Sequence, residues 1–252
     1  MSGVHSGAPA GAPFGAPFGP LSGGNVIFDY DRTLVPEESL LEVVRLSLRR
    51  CPDGEARIRA LQERAARVTT GKARIGDVPM LLAGLFSVNR EAADLYVDVA
   101  LETIRPFQPV FEGLRREGAR LFIVSAAYRD WLVPITARYG FPAEAVAANR
   151  FCWRGDRTAG PANWPLALSS DKTALVRRWR RNGILNGPAV MVGDSAGDFA
   201  IFAEGLAQGF VAAGHYADNR FSEGELLRRS RTVREVAPMA ADLLTRLLRS
   251  AP

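Results

Sequence analysis

Residues 26–35 read Val-Ile-Phe-Asp-Tyr-Asp-Arg-Thr-Leu-Val, an apolar run that ends at two aspartates two positions apart. Short apolar runs are typical of buried strands in parallel sheets, and ligands bind where such strands end. If the chain stays extended, Asp29 and Asp31 project to the same side, where two like charges need a compensating cation. Taken alone, the stretch is equally well read as a strand followed by an aspartate-rich turn.

The remainder of the chain favours the first interpretation because predicted strands and helices alternate after Pro106. We predict strands at 25–28, 119–125, 145–149, 189–192 and 208–212, helices at 111–117, 129–139, 171–181, 195–204 and 233–248, and a hairpin around Gly155-Asp156. This alternation predicts an α/β fold, a Rossmann-like parallel sheet core with helices on both faces.

An all-helical block interrupts this core directly after the first strand. Within residues 36–104, the pattern predicts four helices. The first starts near Pro36-Glu37-Glu38, the others span 55–68, 78–86 and 90–104, and a loop is predicted at 70–74. We therefore expect an α/β core formed by residues 23–35 and 105–252. Residues 1–22, rich in Gly, Ala and Pro, predict a disordered tail.

Composition limits the functional classes. The 252 residues are 47% hydrophobic and carry a net charge of +5, which suits a nucleic-acid partner, an anionic small substrate or a basic solvated surface. Without a recognition-helix, zinc-finger or RNA-binding signature, we do not expect nucleic acid. Cys51 and Cys152 fit no disulfide or metal pattern, and no membrane span or secretory signal is predicted. We expect a cytoplasmic monomer or homodimer.

Polar side chains follow other predicted strands at the same edge of the sheet. Ser125 and the small Ala126 end one strand, Gly193-Asp194 begins the loop after another, and Lys172 starts the intervening helix. Alone, these features indicate a cap, a turn and a solvated lysine. Together they fall where parallel strands converge on one crevice.

Phosphoryl transfer needs these residue types in one place. An aspartate can act as the nucleophile, and Mg²⁺ prefers carboxylate, carbonyl and water ligands. Asp29 and Asp194 could hold the ion, while Ser125, Lys172 and the backbone amides after Asp29 could bind phosphate oxygens.

The order and spacing of these motifs resemble those of the haloacid-dehalogenase-like (HAD) hydrolases. FDYDRTLV, VSAA with Ser125, Lys172 and VGDSAGD resemble the four motifs of that family across residues 25–215. The helical block after the first motif, and the stretch that begins Ala148-Asn149-Arg150, resemble the phosphoserine-phosphatase-like branch. The resemblance implies that residues 36–104 form a cap domain.

The resemblance implies roles for four aspartates. Asp29 is expected to be the nucleophile and an Mg²⁺ ligand. Asp31 is expected to be the general acid and base, with its backbone carbonyl on the ion, and its presence argues against the dehalogenase branch. Asp194 is expected to bind the ion directly, and Asp198 to lie farther out and steady Lys172.

The resemblance also implies a phosphate site. Ser125, Ala126 and Lys172 are expected to bind the phosphate group, with Thr33 supporting the loop beside it. Glu38 matches a cap glutamate that reads an amino group of the substrate in the phosphoserine branch. Arg32 replaces the usual small residue and is long enough to reach an anionic group of the substrate.

Other departures from the branch concern the leaving group. Leu82 stands where the branch carries an arginine for the substrate carboxylate, and Gly197 replaces an amide side chain. Lys72 or Arg74 either replaces that arginine or is solvated. The apolar face around Met80–Phe86 favours a less polar leaving group.

We conclude from the sequence that this is an Mg²⁺-dependent phosphatase that hydrolyses a small-molecule phosphate monoester through an aspartyl-phosphate intermediate. Two alternatives stay open. A phosphotransferase or phosphomutase would pass the same aspartyl-phosphate to another hydroxyl. A catalytically idle HAD-like module would bind a partner through its basic surface.

Overall fold

The fold was obtained as a computed structural model. It describes residues 24–69, 72, 74–163, 166 and 169–213. The predicted tail, 1–22, and the predicted last helix, 233–248, lie outside these residues.

The described strands form a six-stranded sheet. They are β1 (Asn25–Phe28), β2 (Arg120–Tyr128), β3 (Val146–Arg154), β4 (Arg157–Asn163), β5 (Ala189–Gly193) and β6 (Gly209–Ala212). Their order is β4-β3-β2-β1-β5-β6, and all neighbours are parallel except the antiparallel β3–β4 hairpin. The prediction of a mostly parallel α/β sheet is confirmed.

The first strand lies at the centre of the sheet, and its four residues are all buried. Phe28 pairs with Ile123 of β2 on one side and with Val192 of β5 on the other. Because parallel strands end at a common edge, the residues after Phe28 and Val192 leave the sheet side by side.

The described α-helices lie between the strands. They are α1 (Ser39–Leu48), α2 (Gly54–Thr69), α3 (Asp77–Leu85), α4 (Arg90–Ile104), α5 (Gln108–Arg116), α6 (Arg129–Arg138), α7 (Ser169–Arg181) and α8 (Ala196–Ala203). Helices α1 to α4 all fall between β1 and β2, as predicted. The boundaries 36 and 104 of a separate unit stay a prediction.

Alternate residues of β1 supply two hydrophobic cores, one on each face of the sheet. Val26 and Phe28 belong to the core that also includes residues of α1 to α6, whereas Ile27 belongs to the core under α7 and α8. This alternation follows from the two-residue period of a strand. Burial on both faces explains why β1 is apolar throughout.

Hydrogen bonds tie α4 to the turn after β1 and α1 to α6. The Tyr30 hydroxyl lies 3.2 Å from the Tyr96 hydroxyl of α4. The Trp131 indole of α6 donates to Ser39 Oγ at the start of α1, 3.2 Å away. The first turn of α1 is thereby fixed to α6, and α4 is fixed to the turn that follows β1.

Several predicted boundaries differ from the structure by one to a few residues, and three of these differences have an evident local reason. α1 starts at Ser39 rather than near Pro36, because Glu38 is still extended (φ −82°, ψ 106°). β2 continues beyond Ser125 to Tyr128, which pairs with Asn149 after an irregularity in the register. β3 is one strand from Val146 to Arg154, since it pairs first with β2 and then with β4.

Within the described part of the chain, the helices are too short or too polar to cross a bilayer.

Candidate active site

The chain turns sharply at the end of β1. The Asp29 amide donates to Val192 O of β5 (2.8 Å), so Asp29 extends the parallel pairing by one residue. The Tyr30 carbonyl then accepts from the amides of Thr33, Leu34 and Val35. The turn leaves the Asp29 side chain buried at the edge of the sheet, with 4% of its surface exposed.

Lys172, at the start of α7, lies between two of the buried aspartates. Its Nζ is 3.0 Å from Asp29 Oδ2 and 2.7 Å from Asp198 Oδ1. Burial disfavours the ammonium, but the carboxylates of Asp198 and Asp29 outweigh that cost and raise the pKa of Lys172 above its ordinary value. Lys172 is therefore a fixed cation beside Asp29.

Asp198 is held from its other side by the start of α8. Asp198 Oδ2 accepts from the Ser195 amide (3.0 Å), and the Asp198 amide donates to Ser195 Oγ (3.4 Å), forming a capping box. The Ser195 hydroxyl also donates to Asp198 Oδ2. Gly193 makes room for this arrangement, because a Cβ there would lie 2.4 Å from Asp198 Cγ. Both carboxylate oxygens of Asp198 are thus occupied by donors from Lys172 and Ser195.

Asp29 and Asp194 each keep an oxygen without a hydrogen bond. Asp29 Oδ1 and Asp194 Oδ2 are buried and accept none from the described residues. The Arg32 Nε lies 3.0 Å from Asp194 Oδ2, near enough for an ion pair, but the contact is not aligned as a hydrogen bond.

These free oxygens fit a divalent cation. Oxygens of Asp29, Asp194 and Asp198 lie within 4.8 Å of one another. Hard cations such as Mg²⁺ prefer such oxygen ligands. Since the oxygens of Asp198 are already used, Asp29 and Asp194 are the residues whose carboxylates would hold the ion. The Asp31 carbonyl, the third ligand that the resemblance implied, stays a prediction.

The raised pKa values of Asp29 and Asp194 reflect their burial and then the repulsion between neighbouring carboxylates. Burial, followed by the charge of Asp198, raises the pKa of Asp29 to about 6 even with Lys172 beside it. Burial and the charge of Asp29 raise the pKa of Asp194 to about 8, against the opposing effect of Arg32. A cation among these groups would favour their ionised forms.

Asp31 lies in a different environment from Asp29. It is partly buried, and its Oδ1 accepts from the Ser39 amide at the start of α1 (2.9 Å). Burial, and after it the nearby Glu38 carboxylate, raise the pKa of Asp31 well above its ordinary value. A carboxyl group that keeps its proton is suited to donate it to a leaving group.

The β2 end of the site is fixed by a residue whose role the sequence did not indicate. Asn149 is fully buried; its Nδ2 donates to Ala126 O (2.6 Å), and its Oδ1 accepts from the Leu166 amide (3.1 Å). Ser125 is buried beside it, and its Oγ accepts from the Ala127 amide (3.3 Å). Asn149 therefore joins the last residues of β2 to the segment before α7.

A small cleft of about 170 Å³ connects these groups. Of the predicted site residues, those that line it are Asp29, Asp31, Arg32, Glu38, Ser125, Ala126, Lys172 and Asp194. The sequence did not single out Leu166 and Ser195 as lining residues, and it noted Gly197 only as a departure from the branch; all three line the cleft as well. The S-x-x-D pattern of Ser195 and Asp198 was the available signal for a capping box.

Other predicted residues lie outside the lining. Thr33 is buried, and its Oγ1 has no hydrogen-bond partner among the described residues, consistent with packing inside the turn. Lys72 and Arg74 are exposed and do not line the cleft. No residue of Met80–Phe86, Leu82 included, is among the lining residues, so the expectation of a less polar leaving group has no support from this cleft.

Comparison with known proteins places the chain in a family. Residues 26–203 match the family model of haloacid dehalogenase-like hydrolases. Since the match covers more than half of the chain, the protein belongs to this family, and the resemblance stated from the motifs is confirmed.

The proteins that the chain resembles include phosphoserine phosphatases. The chloroplastic phosphoserine phosphatase of Arabidopsis thaliana is 24% identical over 189 residues, which cover 74% of this chain and 61% of the plant protein. A phosphoserine phosphohydrolase-like protein from Francisella tularensis has a TM-score of 0.65 at 19% identity, with 86% of this chain and 99% of that protein covered.

A phospho-aspartyl intermediate analogue of phosphoserine phosphatase has a TM-score of 0.55 at 20% identity, covering 75% of this chain and 85% of that protein. At these identities the solved structures show that the fold is shared.

Proposed function

We propose that the protein is an Mg²⁺-dependent phosphatase that hydrolyses a small phosphate monoester through an aspartyl-phosphate on Asp29. The observation that carries this proposal is the pair of buried oxygens, Asp29 Oδ1 and Asp194 Oδ2, that lack hydrogen bonds beside the Lys172 ammonium. Such a site offers a nucleophile, a cation site and positive charge for phosphate within one cleft.

In the first step, an oxygen of Asp29 bonds to phosphorus and the bond from phosphorus to the ester oxygen breaks. Asp31 gives its proton to the departing alkoxide, which the raised pKa of Asp31 supports. Lys172 and the Ser125 hydroxyl hold the non-bridging oxygens in place. When bound at Asp29 and Asp194, Mg²⁺ supplies positive charge to the transferring phosphoryl group.

In the second step, Asp31 takes a proton from water, and the water oxygen bonds to phosphorus as the bond to Asp29 breaks. The products are the alcohol and inorganic phosphate, and both aspartates return to their starting forms. Asp198 acts on neither bond; it holds Lys172 in position through the 2.7 Å contact.

The substrate we propose is a small phosphorylated metabolite, since the cleft is small and mostly charged at its lining. The phosphoserine phosphatases among the relatives support a hydroxyl-bearing leaving group.

We propose that helices α1 to α4 act as a cap over the cleft, because Glu38 lies in the lining immediately before α1. We also propose that the protein is a cytoplasmic monomer or homodimer and that it binds neither membranes nor nucleic acid.

The test is hydrolysis of an aryl phosphate and of a panel of metabolite phosphates, with and without Mg²⁺. Asp29→Asn should abolish turnover while the protein stays folded. Asp53→Asn is the matched control, since Asp53 is exposed and pairs with Arg57 on the surface. Turnover by Asp29→Asn, or full turnover without a divalent cation, would contradict the mechanism.

Product analysis in this assay, together with a nucleic-acid binding measurement, separates the phosphatase from the two alternative functions. Release of inorganic phosphate indicates a phosphatase, whereas transfer to an added alcohol indicates a phosphotransferase or mutase. Strongly salt-dependent nucleic-acid binding with no phosphatase activity would favour an idle binding module.

A further inference from the structure

Arg32 is a cation in the cleft that the proposed reaction does not use. Its Nε lies 3.0 Å from Asp194 Oδ2, after β5, and 3.1 Å from Glu38 Oε1, before α1. Its side chain is 42% exposed, whereas the side chain of Asp194 is 3% exposed. One guanidinium therefore bridges a buried carboxylate of the core and a half-exposed carboxylate at the start of the helical segment.

The turn after β1 holds Arg32 in an unusual backbone conformation. Its φ of +54° is the one positive φ of a non-glycine residue in the described part of the chain. Residues with a bulky side chain rarely adopt this region, whereas Asn and Gly enter it readily. Its amide donates to Glu37 O (3.3 Å), and its side chain contacts both Asp194 and Glu38.

We propose that Arg32 and the divalent cation compete for Asp194, so that Arg32 sets how tightly this chain binds its metal. This inference rests on the metal site of the proposed function. Asp194 Oδ2 lacks a hydrogen bond and faces the Arg32 charge. A cation on that oxygen would lie close to the guanidinium, and like charges at that distance repel.

Glu38 offers the Arg32 guanidinium a second ion-pair partner when the cation displaces it from Asp194. It already pairs with the same Nε that lies near Asp194. When the cation takes Asp194, Arg32 keeps its contact with Glu38 and remains in the lining of the cleft. Glu38 thus favours the metal-bound state, while Arg32 on Asp194 disfavours it.

This arrangement predicts effects of opposite sign for two substitutions. Arg32→Asn removes the competing charge and relieves the backbone, so it should tighten Mg²⁺ binding. Glu38→Gln removes the alternative partner and leaves Arg32 to Asp194, so it should weaken Mg²⁺ binding. Glu37→Gln removes a neighbouring carboxylate that makes no ion pair with Arg32 in the described structure, and it should leave Mg²⁺ affinity near that of the unchanged protein.

The experiment is calorimetric titration of the full chain with Mg²⁺ in the absence of substrate, at low and at high ionic strength. We expect the dissociation constant to fall about fivefold or more in Arg32→Asn and to rise about threefold in Glu38→Gln, with both effects smaller at high salt. Thermal unfolding without Mg²⁺ establishes that each variant is folded before titration.

The outcomes separate this inference from the proposed function. If the unchanged protein binds Mg²⁺ and Arg32→Asn binds it equally or more weakly, the competition is refuted and the proposed function stands. If Arg32→Asn binds Mg²⁺ more tightly and Glu38→Gln more weakly, the competition is supported. If neither the unchanged protein nor Arg32→Asn binds Mg²⁺, the proposed metal site fails, and the inference fails with it.

Discussion

Asp198→Asn tests whether this aspartate serves to position Lys172. The substitution keeps the shape of the side chain but removes the charge next to the Lys172 ammonium, 2.7 Å away. It also places an amide NH₂ against either Lys172 or the Ser195 donors, since both carboxylate oxygens now accept hydrogen bonds. A donor therefore faces a donor inside a fully buried site.

The expected loss of stability follows from these contacts. A hydrogen bond to a charged group contributes about 1.5–3 kcal/mol, and a helix cap about 1 kcal/mol. Asp198→Asn should therefore lower the free energy of unfolding by about 2–4 kcal/mol, or the midpoint of thermal unfolding by about 5–15 °C for a chain of this length. Turnover should fall roughly ten- to a hundredfold, as is typical when a supporting residue is lost.

Ser195→Ala is the matched control for stability. It removes the capping hydroxyl but leaves the Asp198–Lys172 pair, so it should cost about 1 kcal/mol. Thermal and denaturant unfolding of the three proteins, with turnover of an aryl phosphate, make the measurement. If Asp198→Asn unfolds within about 2 °C of Ser195→Ala and keeps full turnover, Asp198 does not position Lys172.

Three further substitutions test other parts of the structure. Gly193→Ala should lower the free energy of unfolding by about 1–3 kcal/mol in a denaturant titration, because its Cβ would overlap Asp198; unchanged stability would refute the close packing. Asp31→Asn should lower turnover by about 10²–10⁴, with a smaller loss for aryl than for alkyl phosphates because an aryl oxide needs less help from an acid; equal losses would contradict its role. Hydrogen bonds from Arg67 hold the pKa of Asp77 well below its ordinary value of 3.8, so this carboxylate stabilises the fold above about pH 4 and loses that effect as the pH falls further. Thermal unfolding should therefore show a deficit in Asp77→Asn at pH 7 that shrinks below pH 4, and a deficit that grows in acid would be inconsistent with this sign.

The sequence predicted best those elements whose signals are local. β1 and α4 have the predicted bounds, Asn25–Phe28 and Arg90–Ile104. β1 is a short apolar run buried on both faces, and α4 is preceded by Asn89, whose side chain accepts from the Ala92 amide as a helix cap.

Features that depend on distant partners could not be read in this way. β2 and β3 are longer than predicted because they pair beyond their apolar residues. Asn149 joins β2 to the segment before α7 through contacts 23 and 17 residues away in the chain, and no short pattern indicates such a link.

In the candidate site too, residues with local sequence signals could be predicted, whereas contacts that depend on distant parts of the chain could not. Asp29, Asp194 and Lys172 could be assigned to one cleft because each follows or precedes a strand or helix at the same edge of the sheet. The contacts of Arg32 could not be predicted, because they depend on a left-handed turn and on where α1 starts. The absence of Met80–Phe86 from the cleft lining likewise reflects how α3 packs, which the composition of that stretch does not determine.

The central claim is that Asp29 accepts the phosphoryl group. The most direct measurement is rapid acid quenching of the protein during turnover of a radiolabelled phosphate ester, followed by mapping of the bound label. We expect a phosphoenzyme that needs Mg²⁺ to form, is released by hydroxylamine, maps to Asp29 and is missing from Asp29→Asn. Turnover with the label on another residue, or turnover that persists in Asp29→Asn, would contradict it.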